Sequence, residues 1–244
     1  MIHSFAEQIS LPFAALVAST VSGVTGLGGG ALLMAFMSQS VDPKTLIPLH
    51  GLVQIGSNGS RVYWGFRNVH WQIVRKFLLG AIIGGAIGAL LPIHVEPKMI
   101  GLAIGLFLIT TTWLPIERLI VKIAGPYWLL GALSTFTSLF VGVSGPLVHP
   151  ILIRERNLNR HAFIATEASC AGLTHVAKFV VYSYWGFAIS GYAAVLAVMI
   201  LMTLMGAYIG GRVLHRVSER RFRLLIKVIV TVLGLKMLVD QMSF

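Results

Sequence analysis

Long apolar runs separated by short polar clusters make up most of the 244-residue chain. A helix needs about 20 mainly apolar residues to cross about 30 Å of hydrocarbon. Six runs meet this need directly, at residues 45–63, 73–91, 99–113, 162–184, 191–213 and 224–239. Two longer runs, residues 9–39 and 127–153, are interrupted by glycine near their middle. The pattern predicts an all-α polytopic membrane protein with eight hydrophobic segments.

An internal repeat relates the first four segments to the last four. Gly23-Val-Thr-Gly26 returns as Gly142-Val-Ser-Gly145, and residues 51–66 align without gaps on residues 172–187, with six identities in 16. A third match pairs glycines four residues apart, Gly84 and Gly88 with Gly206 and Gly210. Glycines at this spacing let helices approach closely. Because the offset stays between 119 and 122, we predict two homologous halves, the duplicated plan of many secondary transporters.

Basic residues predict how the two halves, residues 1–124 and 125–244, are oriented. Lys and Arg concentrate in cytoplasmic loops. If each glycine-broken segment crosses once, ten basic residues of the loops lie inside and six outside. If each broken segment enters and returns on one side, fourteen lie inside and only Lys44 and Lys98 lie outside. The second count favours an inverted repeat whose broken segments are helical hairpins; a parallel repeat is the alternative.

Composition excludes several classes of protein. Hydrophobic residues make up 56% of the chain and charged residues 11%, against about 25% charged in soluble domains, which excludes a soluble enzyme. The net charge of +11 comes from short clusters between apolar runs, whereas nucleic-acid binding needs a contiguous basic patch. Cys170 is the only cysteine, so no internal disulfide forms. No metal-ligand spacing or nucleotide-binding loop occurs, so we expect neither metal nor cofactor.

The two glycine breaks are the first candidate site. Five glycines between Gly23 and Gly30 make that stretch too flexible for a helix in mid-span. Its freed N–H groups need partners inside the protein, and a helix restarting near Ala31 points its positive end at a cavity, which suits an anion. The candidate substrate-binding residues here are Thr25, Gly26, Gly28, Gly29, Gly30, Ser144 and Gly145. The alternative is that these glycines only allow close helix packing.

The motif GVTGLGGGALLMAF at residues 23–36 returns as GVSGPLVHPIL at residues 142–152. Within two four-segment halves, this pair resembles the sulfite exporter TauE/SafE family, over nearly the whole chain. The resemblance implies a multi-pass permease of the bacterial inner membrane, not an enzyme. It also implies a substrate among sulfite, organosulfonates and related sulfur anions.

Polar residues inside two spans form the second candidate site, because charge inside a membrane is costly. Glu167, His175 and Lys178 lie within about 80° on one face of the segment at residues 162–184. The equivalent span presents His50, Gln54, Asn58 and Arg61 on one face. We expect the two faces to line one cavity. The alternatives are that Lys178 snorkels or pairs elsewhere and that His175 only packs.

Each of these side chains receives an expected role in transport. Lys178 is expected to attract the anion, and Gln54, Asn58 and His175 to hydrogen-bond it. Glu167 or His175 would carry a proton in proton-coupled transport, since histidine titrates near neutral pH. Arg61 is expected at the cytoplasmic end of its span, and His149 is a weaker candidate beside the second break. The expected partners are the bilayer, the anion, a coupling ion such as the proton, and a second copy in a homodimer, but no nucleic acid.

An intramembrane serine protease is the rival function, and a transporter of another small anion is the alternative within transport. Gly-Val-Ser-Gly at residues 142–145 with His175 on a later span is compatible with a Ser144–His175 dyad. Thr25 stands at the position equivalent to Ser144, which favours a backbone break over a nucleophile. Alternating access around a midplane anion site, as in other duplicated transporters, is therefore the preferred mechanism.

Overall fold

A computed structural model of the protein describes residues 5–26, 28–91, 96–114, 126–213 and 219–242. These residues form ten α-helices and no strand, so the prediction of an all-helical fold is confirmed. The helices of the first half are α1 (Phe5–Thr25), α2 (Gly29–Met37), α3 (Pro43–Gly65), α4 (Trp71–Ala89) and α5 (Pro97–Trp113). Those of the second half are α6 (Tyr127–Val141), α7 (Gly145–Leu152), α8 (Arg160–Tyr184), α9 (Ala193–Val213) and α10 (Glu219–Met242).

Two of the described helices, α4 and α9, are long and apolar enough by length and composition to cross a membrane. The helix α5, the helix α6 and the stretch Ile9–Thr25 of α1 are apolar but shorter. The outer faces of α4 and α9 expose large apolar side chains, among them Leu79, Ile82, Leu201 and Met205. Such a surface suits a hydrocarbon environment better than water.

Local sequence explains where the two polar helices begin. The Asp42 carboxylate accepts hydrogen bonds of 3.1 Å from the N–H groups of Lys44 and Thr45, and Pro43 occupies the first position of α3. The Asn159 side chain accepts a 2.9 Å bond from the N–H of Ala162 and caps α8. These residues satisfy N–H groups that a helix leaves free at its start.

Both predicted glycine breaks interrupt helices. Gly26 and Gly28 have φ values of +72° and +90° between α1 and α2, and Gly142 has a φ of +79° between α6 and α7. A Cβ atom added to Gly29 would lie 2.0 Å from the carbonyl oxygen of Ala18, a residue within α1. Because Ala18 lies about two turns before the end of α1, α2 turns back along α1 instead of continuing away from it.

Helices that correspond by the repeat run antiparallel where they touch. Between α3 and α8, Arg61 contacts Glu167 while Gly51 adjoins Lys178. The helices α5 and α10 are also antiparallel. Trp113 at the end of α5 bonds Thr231 in the middle of α10, and Gly101 near the start of α5 adjoins Gln241 at the end of α10. In both pairs the residue number rises on one helix as it falls on the other.

The glycines of the third repeat match provide close contacts between the halves. A Cβ at Gly84 would lie 2.1 Å from the Ala132 oxygen on α6, and one at Gly206 would lie 2.4 Å from the Leu16 oxygen on α1. The helices α4 and α6 therefore cross almost backbone to backbone, as do α9 and α1. Each half packs its glycine-bearing helix against the broken segment of the other half.

These contacts give the bundle two distinct ends. The end of α3 and the start of α8 meet at one of them, and the end of α5, which contacts the middle of α10, lies at the same end. We call this the basic end, because the connections there carry Arg67, Arg154 and Arg156. The opposite end holds the connections at residues 38–42 and 185–192.

Candidate functional site

A cavity of 590 Å³ lies between the two halves. It is bounded at the basic end by Trp113, Leu114 and Ile153, each more than half exposed. Its deepest lining includes His50 and His175, whose ring centroids are 5.7 Å apart. Residues of both glycine breaks and both polar helices form its walls, so the cavity lies where the repeat brings these elements together.

Most of the residues predicted from the sequence line this one cavity. They are Thr25, Gly26, Gly28, Gly30, Gln54, Asn58, Ser144, Gly145, Glu167 and His175. Two predicted residues are absent from the lining. Gly29 packs against α1, and Lys178 is fully buried behind the cavity wall. The structure thus gathers side chains from α3 and α8 with backbone from α2 and α7.

His50 fastens the polar face of α3 to the start of α2. Its Nε2 atom lies 2.9 Å from the carbonyl oxygen of Gly30 and 3.3 Å from the side-chain nitrogen of Gln54. Because a carbonyl only accepts, Nε2 carries the hydrogen and donates it to Gly30. Because Nε2 carries this hydrogen, it cannot also accept from Gln54, so the Gln54 NH₂ group stays available as a donor.

Arg61 is buried within the cavity wall rather than exposed at the end of its span. Only 8% of its surface is exposed, and its Nη1 lies 3.4 Å from Glu167 Oε2. Its Nη2 donates to Asn58 Oδ1, and its Nε donates to the Ser57 carbonyl at 3.3 Å. Arg61 is thus a cation that lines the cavity and is held by three acceptors.

Lys178 lies outside the lining of the cavity, where it bonds the second helix break. Its Nζ donates a 2.8 Å hydrogen bond to the carbonyl oxygen of Gly142. A Cβ at Gly51 would lie 2.6 Å from Lys178 Cε, and one at Gly142 would lie 2.0 Å from Met34 Cε. Four elements therefore pack closely at this point, and none of these four residues lines the cavity.

Tyr182, one turn beyond Lys178, adds a second bond of the same kind. Its hydroxyl donates to the carbonyl oxygen of Leu139 at 2.8 Å, also on the broken segment of the second half. We call Lys178, Tyr182 and the carbonyls of Leu139 and Gly142 the outer closure, where outer means only the side of these contacts away from the basic end. It fastens α8 to the end of α6.

Comparison with known families identifies the chain. The profile of the sulfite exporter TauE/SafE family matches residues 11–237. The chain belongs to this family. No curated protein and no solved structure matches it. The TauE/SafE family consists of membrane transporters of sulfur anions, which fits the apolar helices and the polar cavity between them.

The geometry around Ser144 gives no support to the rival protease function in this TauE/SafE family member. Ser144 and His175 both line the cavity. Within the described part of the chain, however, Ser144 Oγ has no hydrogen-bond partner and so makes no bond to His175. A nucleophilic serine is normally activated by a hydrogen bond to its base.

Sequence reasoning gave less weight to several residues that line the cavity. His50 and Arg61 were placed on the same helical face as Gln54 and Asn58, yet neither was assigned to the substrate. The sequence pattern gives no signal that Trp113 and Lys227 line the cavity, where Lys227 Nζ lies 5.4 Å from the Trp113 ring centroid at the mouth. The four-residue spacing along α3 was the signal that pointed to His50 and Arg61.

Proposed function

We propose that the protein is a secondary permease of the bacterial inner membrane that moves a small sulfur oxyanion, such as sulfite or an organosulfonate. One observation supports it most: a cavity between the halves combines a buried arginine with both helix breaks. A buried guanidinium beside hydroxyl, amide and backbone donors favours an oxyanion. Membership of the TauE/SafE family supports sulfur anions as the substrate class.

The donors around the cavity match the oxygens of a small anion. Gln54, Asn58, Ser144 and His175 supply side-chain groups, while the starts of α2 and α7 supply backbone N–H groups and the positive ends of helix dipoles. Lys178 adds positive charge from behind the cavity wall. Glu167 is the one carboxylate among the cavity-lining residues in the described ranges, so cations have few ligands there.

We also propose that the two halves are an inverted repeat that crosses the membrane several times. The antiparallel contacts of α3 with α8 and of α5 with α10 support this arrangement. The start of α2 packs against α1 at Ala18, which supports a hairpin in the first half. Since the arginine-rich connections gather at the basic end, that end is assigned to the cytoplasm.

We propose transport by alternating access, and the state of the cavity supports this mechanism. The cavity reaches the basic end, and we take the outer closure to separate it from the opposite end. A carrier must open one end only after closing the other. The present conformation therefore corresponds to an inward-facing carrier, and transport requires the outer closure to break and a matching closure to form at the cytoplasmic end.

Flux of sulfite into liposomes containing the purified protein tests this function. We expect saturable sulfite entry that increases when a pH gradient is imposed, and a loss of entry of at least about tenfold in Asn58→Leu, which removes hydrogen bonds of the cavity. Gly59→Ala is the matched control on α3, because a Cβ there meets no atom within 4 Å.

Two results would contradict the proposal in different ways. Equal flux in Asn58→Leu and Gly59→Ala would move the substrate away from this cavity. Absence of sulfite flux under every gradient, with thiosulfate, sulfonates and sulfate also inactive, would remove sulfur anions as the substrate class.

A further inference from the structure

We infer that the Arg61–Glu167 ion pair is the anion site in its empty form. The anion and the Glu167 carboxylate replace each other on the Arg61 guanidinium. The incoming anion takes the place of Glu167 on the Arg61 guanidinium, and Glu167 binds one proton in the same step. The inference rests on the proposed function and names the coupling ion and the residue that couples it. Its support comes from the contacts, burial and charge balance of the pair.

The contacts of Arg61 divide into a fixed side and an exchangeable side. Its Nη2 and Nε atoms donate to Asn58 and to the Ser57 carbonyl, both on its own helix. Its only described contact across the cavity is Nη1 to Glu167 Oε2, at 3.4 Å. The helix α3 thus holds the guanidinium in place, whichever anion binds the side of it that faces the cavity.

The contact with Glu167 is weak for two buried charges. A charge-assisted N–H···O bond usually measures about 2.7–2.9 Å, and Arg–carboxylate pairs often form two such bonds. This pair has one bond of 3.4 Å between side chains that are 7% and 5% exposed. A small oxyanion of two or three oxygens can approach the same guanidinium more closely, because no backbone restrains it.

The charge of the site requires a proton to enter with the anion. The empty pair carries one positive and one negative charge and is neutral overall. An added monoanion would leave two negative charges on one buried cation, which is costly in a medium of low dielectric constant. If Glu167 takes a proton, the loaded site holds the arginine, the anion and a neutral carboxylic acid, and is again neutral.

Among the described residues, Arg61 is the one buried cation that contacts Glu167. The other titratable side chains of the cavity are His50 on α3, His149 on α7, His175 on α8 and Lys227 on α10, and Cys170 lies near Glu167 on α8. Lys178 is also buried, but it lies about 16 Å further along α8 and donates to the Gly142 carbonyl. On the other elements packed against α8, Arg67, Arg75 and Lys76 are exposed, and Tyr127 bonds Glu155. Arg61 is therefore the cation that both anions compete for.

Calorimetry of sulfite binding to the full-length protein in detergent tests the exchange. Titrations at one pH in two buffers of different ionisation enthalpy give the number of protons bound with each anion. We expect the wild type to take up about one proton more per anion than Glu167→Gln, because the glutamine cannot titrate. Protons bound by sulfite itself cancel in this comparison. Arg61→Gln should weaken sulfite binding about 10- to 100-fold.

A double variant keeps the test valid if Glu167→Gln does not fold. Glu167→Gln leaves a lone buried arginine, whereas Arg61→Gln with Glu167→Gln removes both charges. If the single variant is not monodisperse, the wild type is compared with the double variant, which should bind sulfite weakly and take up no extra proton.

The outcomes separate this inference from the proposed function. Sulfite binding with the same proton number in wild type and Glu167→Gln would overturn the exchange and leave an uncoupled anion permease. Unchanged affinity in Arg61→Gln would overturn the assignment of Arg61. No binding of sulfite, thiosulfate or sulfonates to the wild type would overturn the proposed function and the exchange with it.

Discussion

Lys178 reaches the second helix break because residue 51 has no side chain. The lysine is fully buried, and its Cε would lie 2.6 Å from a Cβ at position 51. A real Cβ is never tolerated that close, so a methyl group there must push the lysine chain aside or separate α3 from α8. The hydrogen bond from Lys178 Nζ to the Gly142 carbonyl, and with it the outer closure, therefore depends on residue 51 being glycine.

Gly51→Ala should therefore loosen the outer closure without altering the cavity lining. We expect a cysteine introduced at Leu139 to react several-fold faster with a membrane-impermeant thiol reagent added outside, in a Cys170→Ala background. Gly59→Ala on the same helix is the control, because a Cβ there has open space. Equal labelling in Gly51→Ala and Gly59→Ala would show that the lysine contact does not hold this end closed.

Individual site residues could be predicted from the sequence only as far as one helix allows. The steps from Gln54 to Asn58 and from Glu167 to His175 fixed which residues share a face. Spacing along a helix, however, shows neither how deeply a side chain is buried nor which residue of another helix it contacts. Arg61 therefore looked like the end of a span, and the acceptor of Lys178, a backbone carbonyl 36 residues away in sequence, could not be anticipated.

At the scale of helices, the crossing of α4 and α6 is the tightest contact between the halves. A Cβ at Gly80 would lie 1.6 Å from the carbonyl oxygen of Trp128, which is backbone and cannot turn away. Gly80→Ala must force the two helices apart. We expect it to lower stability by about 3 kcal/mol, measured as a clear fall in melting temperature in detergent.

Gly85→Ala provides the matched control on the same helix. A Cβ there would make ordinary contacts, 3.7 Å from Ala177 Cβ, and alanine favours a helix over glycine by about 1 kcal/mol. Its melting temperature should equal or exceed that of the wild type. Similar losses in Gly80→Ala and Gly85→Ala would mean that the crossing is not the cause.

The elements themselves were more predictable than their partners. Apolar runs and glycine breaks predicted an all-helical chain with interrupted helices, because length and flexibility are local properties. The spacing of Gly84 and Gly88 indicated a close helix contact but not its partner, since any smooth helix face would fit. Only the folded chain joins α4 to α6 and α9 to α1.

At the scale of the whole molecule, labelling from the two sides of the membrane tests the orientation. In a Cys170→Ala background, Arg154→Cys at the basic end should react only from the cytoplasm, and Ser190→Cys only from outside. Both positions are exposed, so access depends on the side alone. The reverse pattern would invert the assignment, and labelling of both from one side would contradict the arrangement of the helices.

The outer closure also has a counterpart in the first half, and the two differ in strength. By the repeat, Gly51 corresponds to Gly172 and Lys178 to Ser57. A Cβ at Gly172 would have Asn58 Cβ 3.6 Å away, so the counterpart is loosely packed. In the opposite conformation of the proposed carrier, the short hydroxyl side chain of Ser57 would have to hold the closure that the long cationic side chain of Lys178 holds here. Under the proposed alternating access, the conformation that is open at the basic end should therefore be the more stable one when no substrate is bound.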